Sequence, residues 1–372
     1  MFQITMLPAA QGDCLWIEYG SPIKRILIDG GVHATGAVLR QRIEALPVRD
    51  RVFELGVVTH VDLDHILGML QLLDDPPEGL VFKDFWFNGL DHLPEDPTDT
   101  STLGPRMGEE LMALLADSPS VKAWNGAFGE RAVSVGSSQL PGSANALPSF
   151  DVGGMRLTVL GPTGTRLARL RPVWEEEMAR LTAKRAKEAA GHPEDEVDDE
   201  TTLGGERIET LKDLRKLAEA PFSEDSSKAN GSSIVLLAEH DGRRCLFAGD
   251  AFAADVLAAA TLVAEGEGEE VLRVDAWKLA HHGGEKNTSP DLVRAVATDR
   301  YLISTSGTRY DHPRPQTVAR VLLDRPDQGE ARLVFNYRSE FTEVWEDATR
   351  FGRGVRYEPQ FPAANGTNSV EL

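Results

Sequence analysis

The sequence predicts an α/β fold arranged as a four-layer αββα sandwich. Two observations lead there: strand-like and helix-like runs alternate along most of the chain, and a second β-rich half repeats the style of the first. The chain has 372 residues, 41% of them hydrophobic, which is ample for a packed core and excludes disorder as the main state. Lys and Arg total 39 against 59 Asp and Glu, a formal charge of −20, so a broad nucleic-acid-binding face is not expected. A small site where metal ions supply positive charge remains compatible with that balance. No run approaches the roughly 20 apolar residues of a membrane span. The opening MFQITMLPAAQGDCLWIEYG lacks a basic stretch and a long apolar one, so no secretory signal is expected. Cys14 and Cys245 make no disulfide framework and read as buried small hydrophobes; the expected location is the cytoplasm.

Taken in order, Phe2–Leu7, Asp13–Tyr19 and Arg25–Asp29 are apolar or alternating runs, separated by Gly12 and by Gly20-Ser21-Pro22, and read as strands. Within 32–46 the apolar positions Val38, Leu39, Ile43 and Leu46 suit an amphipathic helix. A strand at Phe53–Thr59 follows, then a helix over about 65–74, a strand over about 81–87 and a helix over about 108–116. The second half is expected to hold strands at Met155–Leu160, Ser233–Glu239, Arg243–Ala248, Arg273–Leu279, Tyr301–Thr305, Arg332–Asn336 and Phe341–Trp345. Helices near 253–264, 290–298 and 315–324 lie between some of them.

Residues 1–361 are read as one domain, interrupted at 163–229 by a helical insertion. In the insertion, Pro172 is placed to open a helix, with Glu175, Glu176 and Glu177 suited to its dipole and Trp174, Met178 and Leu181 as its apolar stripe. The acidic run 194–200 reads as a solvated loop, and Ile208, Leu211, Leu214 and Leu217 mark a second helix. These stripes are too short to form a core alone. A lid, a contact with a second copy and a surface for a protein partner are the roles open to the insertion. The tail 362–372 is polar and expected to fray.

The strongest chemical signal is Thr59-His60-Val61-Asp62-Leu63-Asp64-His65, four metal-competent side chains directly after a strand. A helix cap needs one such carboxylate and does not explain two histidines flanking two aspartates. Three later segments end strands in the same manner: Gly249-Asp250, His281-His282-Gly283-Gly284, and Gly307 followed by Tyr310-Asp311-His312-Pro313. Singly they are weak, since a strand-end Asp is commonly a turn residue and His312 equally suits a surface loop. Their order after the first cluster strengthens the joint case.

That order resembles the metallo-β-lactamase fold superfamily, over about residues 1–345 apart from the insertion. The likeness is closer to the hydrolase domain of the competence protein ComEC and its free-standing relatives, whose H-x-D-x-D-H cluster is matched by His60-Val61-Asp62-Leu63-Asp64-His65. Gln11-Gly12-Asp13, Leu27-Ile28-Asp29-Gly30-Gly31 and Asn230-Gly231-Ser232-Ser233-Ile234 are also similar. The resemblance implies that His60 and Asp62 serve one metal position, Asp64 and His65 the other, and that Asp250 bridges them. His281, nearer the strand, is taken over His282 to complete the second position. Asp29 is a candidate for orienting ligands, or equally for capping the Gly30-Gly31 turn. His312 is expected to face substrate as an oxyanion ligand or proton donor.

Two departures from the pattern bear on the metal. Asp62 stands where the superfamily has a second histidine, and residues 226–231 hold no histidine where another ligand is due; Asn230 is the substitute available. Oxygen donors favour Mn²⁺ over Zn²⁺, so one or two divalent ions, Mn²⁺ before Zn²⁺, are expected. The chemistry implied is hydrolysis by metal-activated hydroxide, with Asp64 able to take the proton. A phosphodiesterase is the leading expectation, with a nuclease as its more specific version; a short single-stranded end or a small phosphodiester suits the acidic charge better than a large DNA footprint. Thioester, lactone or β-lactam hydrolysis is the alternative within the fold. A catalytically weak scaffold with a degenerate site is the alternative outside it.

Overall fold

The computed structural model describes all residues except 95–107, 137–146, 175, 177–178, 180–182, 184–207 and 328. In the first half, β1 (Phe2–Met6), β2 (Leu15–Tyr19) and β3 (Lys24–Ile28) form an antiparallel meander; α1 (His33–Glu44), β4 (Val52–Val57), α2 (Leu63–Asp74), β5 (Val81–Trp86) and α3 (Gly108–Asp117) follow. Next come β6 (Ser149–Val152), β7 (Met155–Gly161), α4 (Gly164–Leu170), α5 (Leu211–Ala218), β8 (Val235–His240), β9 (Arg243–Phe247) and α6 (Ala253–Glu267). The chain closes with β10 (Leu272–Arg273), β11 (Ala276–Lys278), α7 (Pro290–Ala295), β12 (Val296–Ala297), β13 (Arg300–Ile303), α8 (Pro315–Leu323), β14 (Ala331–Phe335), α9 (Glu340–Glu343), β15 (Tyr357–Gln360) and β16 (Asn368–Glu371).

Two sheets carry the architecture: six strands in the order β16-β1-β2-β3-β4-β5, and eight in the order β15-β14-β13-β11-β9-β8-β7-β6. Alternation along the strands sends one set of side chains inward. Phe2, Ile4, Met6, Ile17, Ile26 and Ile28 of the first sheet share a buried cluster with Leu157, Val159, Leu236, Cys245, Phe247 and Leu302 of the second. The other face of the first sheet is covered by α1 to α4 through Leu39, Ile43, Ile66, Leu70, Leu111, Leu115, Leu167 and Leu170. Helices α5 to α8 cover the second through Leu214, Leu217, Val256, Ala260, Leu292, Val293, Val318 and Val321. The result is the four-layer αββα sandwich. No helix among the described residues is long and apolar enough to cross a membrane.

Several local expectations change. Phe341–Trp345, read as a strand, is the short helix α9 and its continuation: Ser339 N–H donates to Thr342 Oγ1 at 2.9 Å and Thr342 N–H to Ser339 O at 3.0 Å, and the aromatic pair lies four residues apart on one helical side. The run 273–279 is two strands, because β10 pairs with β12 whereas β11 pairs with β9 and β13. The tail does not fray over 368–371; β16 pairs antiparallel with β1, from Gln3 opposite Glu371 to Met6 opposite Asn368. The insertion opens with α4, capped by Thr163, ahead of the turn at Arg171–Val173. Its later expectations at Glu175, Glu177, Met178, Leu181 and the acidic run 194–200 lie outside the described residues.

Parallel pairing decides where function can gather. Strands β3 and β4 of one sheet, and β9, β11 and β13 of the other, all deliver their carboxyl ends to one rim. Loops from the two sheets are stitched there: Ile234 N–H donates to Thr59 O at 2.9 Å, Ser306 N–H to Ala10 O at 2.7 Å, and Ser304 Oγ to Gly12 O at 3.1 Å. Gly12 is required at this junction, since a Cβ there would fall 1.8 Å from the Asp64 carbonyl oxygen.

Candidate metal centre

The segment after β4 runs through Thr59 and His60 to Asp62, the residue before α2. Asp62 makes no side-chain cap bond; its Oδ2 lies 3.6 Å from His60 Nε2. The first turn of α2 carries Asp64 and His65, β9 leads to Asp250, and β11 leads to His281 and His282. Those two histidines and Gly283 adopt successive left-handed conformations, with φ of 48°, 55° and 90°. Non-glycine residues hold such backbone only where the surroundings enforce it. Here His281 N–H donates to Gly249 O at 3.0 Å and Arg314 N–H to Gly283 O at 3.0 Å, clamping the turn from both sides.

The hydrogen bonds settle which imidazole nitrogen faces the centre. Thr59 Oγ1 gives its proton to Asp29 Oδ2 at 2.8 Å, so toward His60 Nδ1, at 3.1 Å, it accepts. His65 Nδ1 lies 2.8 Å from the same Asp29 oxygen, and His282 Nδ1 lies 3.1 Å from the Ser304 carbonyl; both partners only accept. Asn287 spends its amide nitrogen on Asp225 Oδ2, Asp250 O and Ala251 O, at 3.0, 3.0 and 3.3 Å. Its Oδ1 therefore accepts from His281 Nδ1, 2.9 Å away. All four histidines carry a proton on Nδ1 and turn Nε2 toward one carboxylate. From Asp250 Oδ2 the Nε2 atoms of His60, His65, His281 and His282 lie at 3.7, 3.4, 3.7 and 3.8 Å. Asp64 Oδ2 is 3.8 Å from His282 Nε2.

A divalent cation fits these residues. Among the described residues, His60-His65-Asp250, Asp64-His65-His282, Asp13-Asp250-His282 and Asp13-Asp29-His65 each place three ligand atoms within 4.8 Å of one another. The buried Nε2 atoms of His60, His65 and His282 and Asp250 Oδ1 have no hydrogen-bond partner. Leaving such an atom unsatisfied costs about 1–3 kcal/mol, so a convergent group of them calls for a ligand. Imidazoles anchored through Nδ1 to carboxylate, carbonyl or amide oxygens match the arrangement by which outer groups orient metal-binding histidines.

Charge follows the same geometry. Burial alone would raise the Asp250 carboxyl, but His65, His281 and His282 outweigh it and hold it well below the carboxylate range. Burial would lower His65, yet Asp250 and Asp29 push it well above the usual imidazole value; Asp250 and Asp225 likewise raise His281 against its burial. His312 goes the other way, lowered by burial and by the neighbouring His281 and His282.

Of the residues singled out in the sequence, His60, Asp64, His65, Asp250, His281 and His282 converge, with Asp62 beside His60 and Asp29 behind His60 and His65. His312 is buried, its ring 5.2 Å from His281 and 6.4 Å from His282. Asn230 is buried too; its amide nitrogen donates to Asp225 Oδ2 at 2.7 Å while Oδ1 has no hydrogen-bond partner. Four supporting groups were not assigned a role from the sequence. Asp13 Oδ2 pairs at 2.6 Å with the fully buried Lys278, and its Oδ1 lies 3.4 Å from His282 Nδ1. Asn287 and Asp225 stand behind His281. The signal for Asp13 was its place after Gln11-Gly12; Lys278 had the signal of a lysine inside an apolar strand.

No family model and no curated protein matches this sequence. Solved structures do align with it. CmlA, a diiron β-hydroxylase from Streptomyces venezuelae, matches over 100% of this chain and 54% of its own, at 12% identity and a TM-score of 0.40. A CmlA variant gives 11% identity and a TM-score of 0.38. The metallo-β-lactamase fold protein YhfI from Bacillus subtilis matches over 99% of both chains at 8% identity and a TM-score of 0.37. This chain thus spans about half the length of CmlA, 54% by alignment.

Proposed function

We propose that the protein is a metal-dependent hydrolase acting on phosphodiesters, with short or single-stranded nucleic acid ends among its substrates. The observation that carries this reading is the set of four Nδ1-anchored imidazoles whose Nε2 atoms lie 3.4–3.8 Å from Asp250 Oδ2. In this reading His60 and Asp62 would hold one ion and Asp64, His65 and His282 a second, with the Asp250 carboxylate available to both. His281, whose Nε2 faces Asp250 from the remaining side, would be a further imidazole ligand. The donor set beside Asp62 is the oxygen-richer one and favours Mn²⁺, whereas the imidazole-rich side also suits Zn²⁺. When bound, divalent ions supply Lewis acidity toward a phosphoryl oxygen and acidify water.

The chain's own groups then have distinct tasks. Asp29 keeps His60 and His65 in the ligating tautomer. Asp64 is the carboxylate able to receive a proton. His312, buried beside the histidine pair, is placed to bind an oxygen of the substrate or to protonate a leaving group.

Purified protein loaded with Mn²⁺ or Zn²⁺ tests the reading through metal content and turnover of bis(p-nitrophenyl) phosphate. One to two equivalents of ion, faster turnover with Mn²⁺, and loss of both in His65→Ala and Asp250→Ala are expected. Inertness toward the phosphodiester with turnover of nitrocefin or a thioester refutes the substrate class. No uptake of either ion refutes the metal centre and leaves a scaffold role.

A further inference from the structure

The insertion's carboxyl-terminal end is built into the rim of the metal centre. Arg320 of α8 is fully buried and donates to the carbonyls of Glu285 at 2.8 Å, Thr288 at 3.0 Å and Ala220 at 3.4 Å. It thereby ties residue 220 to the loop that carries Asn287. Asp225 N–H donates to Lys286 O at 3.2 Å, a second tie between the same segments. In the first turn of α6, the Ala254 N–H donates to Glu224 Oε1 at 2.7 Å.

Asp225 occupies the middle of this junction. Its Oδ1 accepts from Ser227 N–H at 2.8 Å; its Oδ2 accepts from Asn230 Nδ2 at 2.7 Å and Asn287 Nδ2 at 3.0 Å. One carboxylate oxygen therefore fixes which way two buried amides point. For Asn287, fixing the nitrogen end sends Oδ1 to His281 Nδ1, which leaves His281 Nε2 facing Asp250. For Asn230, it leaves Oδ1 as the end with no hydrogen-bond partner.

We propose that Asp225 is a positioning residue for the metal centre, holding Asn287 and Asn230 so that His281 Nε2 is available to a metal ion. The insertion thereby contributes to ion binding through its last residues. The inference rests on the metal-centre reading above. An amide at position 225 is close to isosteric but cannot accept from all three donors: with Oδ1 turned toward the two asparagines, its NH₂ meets Ser227 N–H. Either orientation releases an amide or breaks the turn.

Asp225→Asn is compared with wild type and with Asp255→Asn, which removes a carboxylate paired with Arg166 at 2.6 Å, a contact between the insertion and α6 that involves neither Asn287 nor Asn230. Mn²⁺ affinity is measured by competition with a chelator. The tautomer of His281 is read by two-bond ¹H–¹⁵N correlations in the Zn²⁺-loaded protein, assigned with His281→Gln. Expected are an Nδ1–H His281 in wild type, loss of that signature in Asp225→Asn, and Mn²⁺ binding weakened by roughly 10- to 100-fold. Asp255→Asn is expected to match wild type in both. A merely structural role for Asp225 lowers thermal stability without moving the tautomer. The inference is overturned alone if Asp225→Asn keeps both the signature and wild-type affinity. It is also overturned if wild-type His281 carries its proton on Nε2, a result that needs no folded variant. If wild type takes up neither ion, the metal-centre reading falls and takes the inference with it.

Discussion

Asp29→Asn isolates the effect of imidazole orientation from that of ligand identity. Asp29 is buried, sits at a φ of 60° and makes three contacts: Oδ1 accepts from Thr59 N–H at 2.7 Å, and Oδ2 from Thr59 Oγ1 and His65 Nδ1, both at 2.8 Å. Asparagine tolerates that backbone conformation, so the turn is retained. Its oxygen can keep the Thr59 amide, but its NH₂ then stands where Oδ2 accepted from His65. The NH₂ donates to His65 Nδ1, and the imidazole proton shifts to Nε2, where it points at Asp250 in place of a lone pair. Flipping the amide instead opposes two N–H donors at Thr59. Disturbing a group that orients a ligand weakens ion binding by roughly 10- to 100-fold. That corresponds to about 1.4–2.7 kcal/mol. Replacing hydrogen bonds to a buried charge adds a folding cost of about 1–3 kcal/mol. Isothermal titration with Mn²⁺, alongside urea denaturation of the metal-free protein, reads the two separately. Affinity within twofold of wild type would refute the tautomer argument, whatever happened to stability.

Proton linkage gives a second expectation for the metal-free chain. His65 and His281 are raised above their ordinary 6.5, so their contribution is full below pH 6.5 and is lost as pH rises above it; Asp250, held below its ordinary 3.8, contributes above that value and loses its share as pH falls. Thermal stability with chelator present should therefore decline from pH 6.5 to 8.5, while the increment from Mn²⁺ or Zn²⁺ grows over the same interval because ions displace protons. A metal-free protein that gains stability toward pH 8.5 would contradict the assignment. Lys278→Met strands the Asp13 carboxylate in the interior, for an expected loss of about 3–5 kcal/mol. Asp13→Leu with Lys278→Met should recover most of it in urea melts; equal losses in single and double variants would argue against the pair as the cause. Deleting 362–372 removes β16 from its four registered pairs with β1. At roughly 0.5–1.5 kcal/mol per ladder hydrogen bond, a loss of a few kcal/mol is expected by urea denaturation, and an unchanged midpoint would refute a stabilising role for the tail.

Local sequence determined the features whose cause is local. Periodicity and turn residues located most strands and helices, and His60 to His65 could be recognised as a cluster because four side chains leave one strand end within six residues. Errors arose where a short window was ambiguous. Phe341 and Trp345 satisfy strand composition, yet the Ser339–Thr342 cap selects a helix. The run around Val274 and Asp275 contains the boundary between two sheets, which hydropathy does not mark. The β16 strand is polar because it pairs through its backbone at an edge, where side chains carry little information. Only tertiary structure decided the rest. Asp13 meets Lys278 across 265 residues, and Asp225 reaches Asn287 across 62. It also showed that His281 and His282 both face Asp250, since consecutive left-handed residues turn two neighbouring side chains toward one carboxylate. Residue types name candidate donors, but their lone pairs acquire direction only when partners distant in the chain hold the other end of each ring.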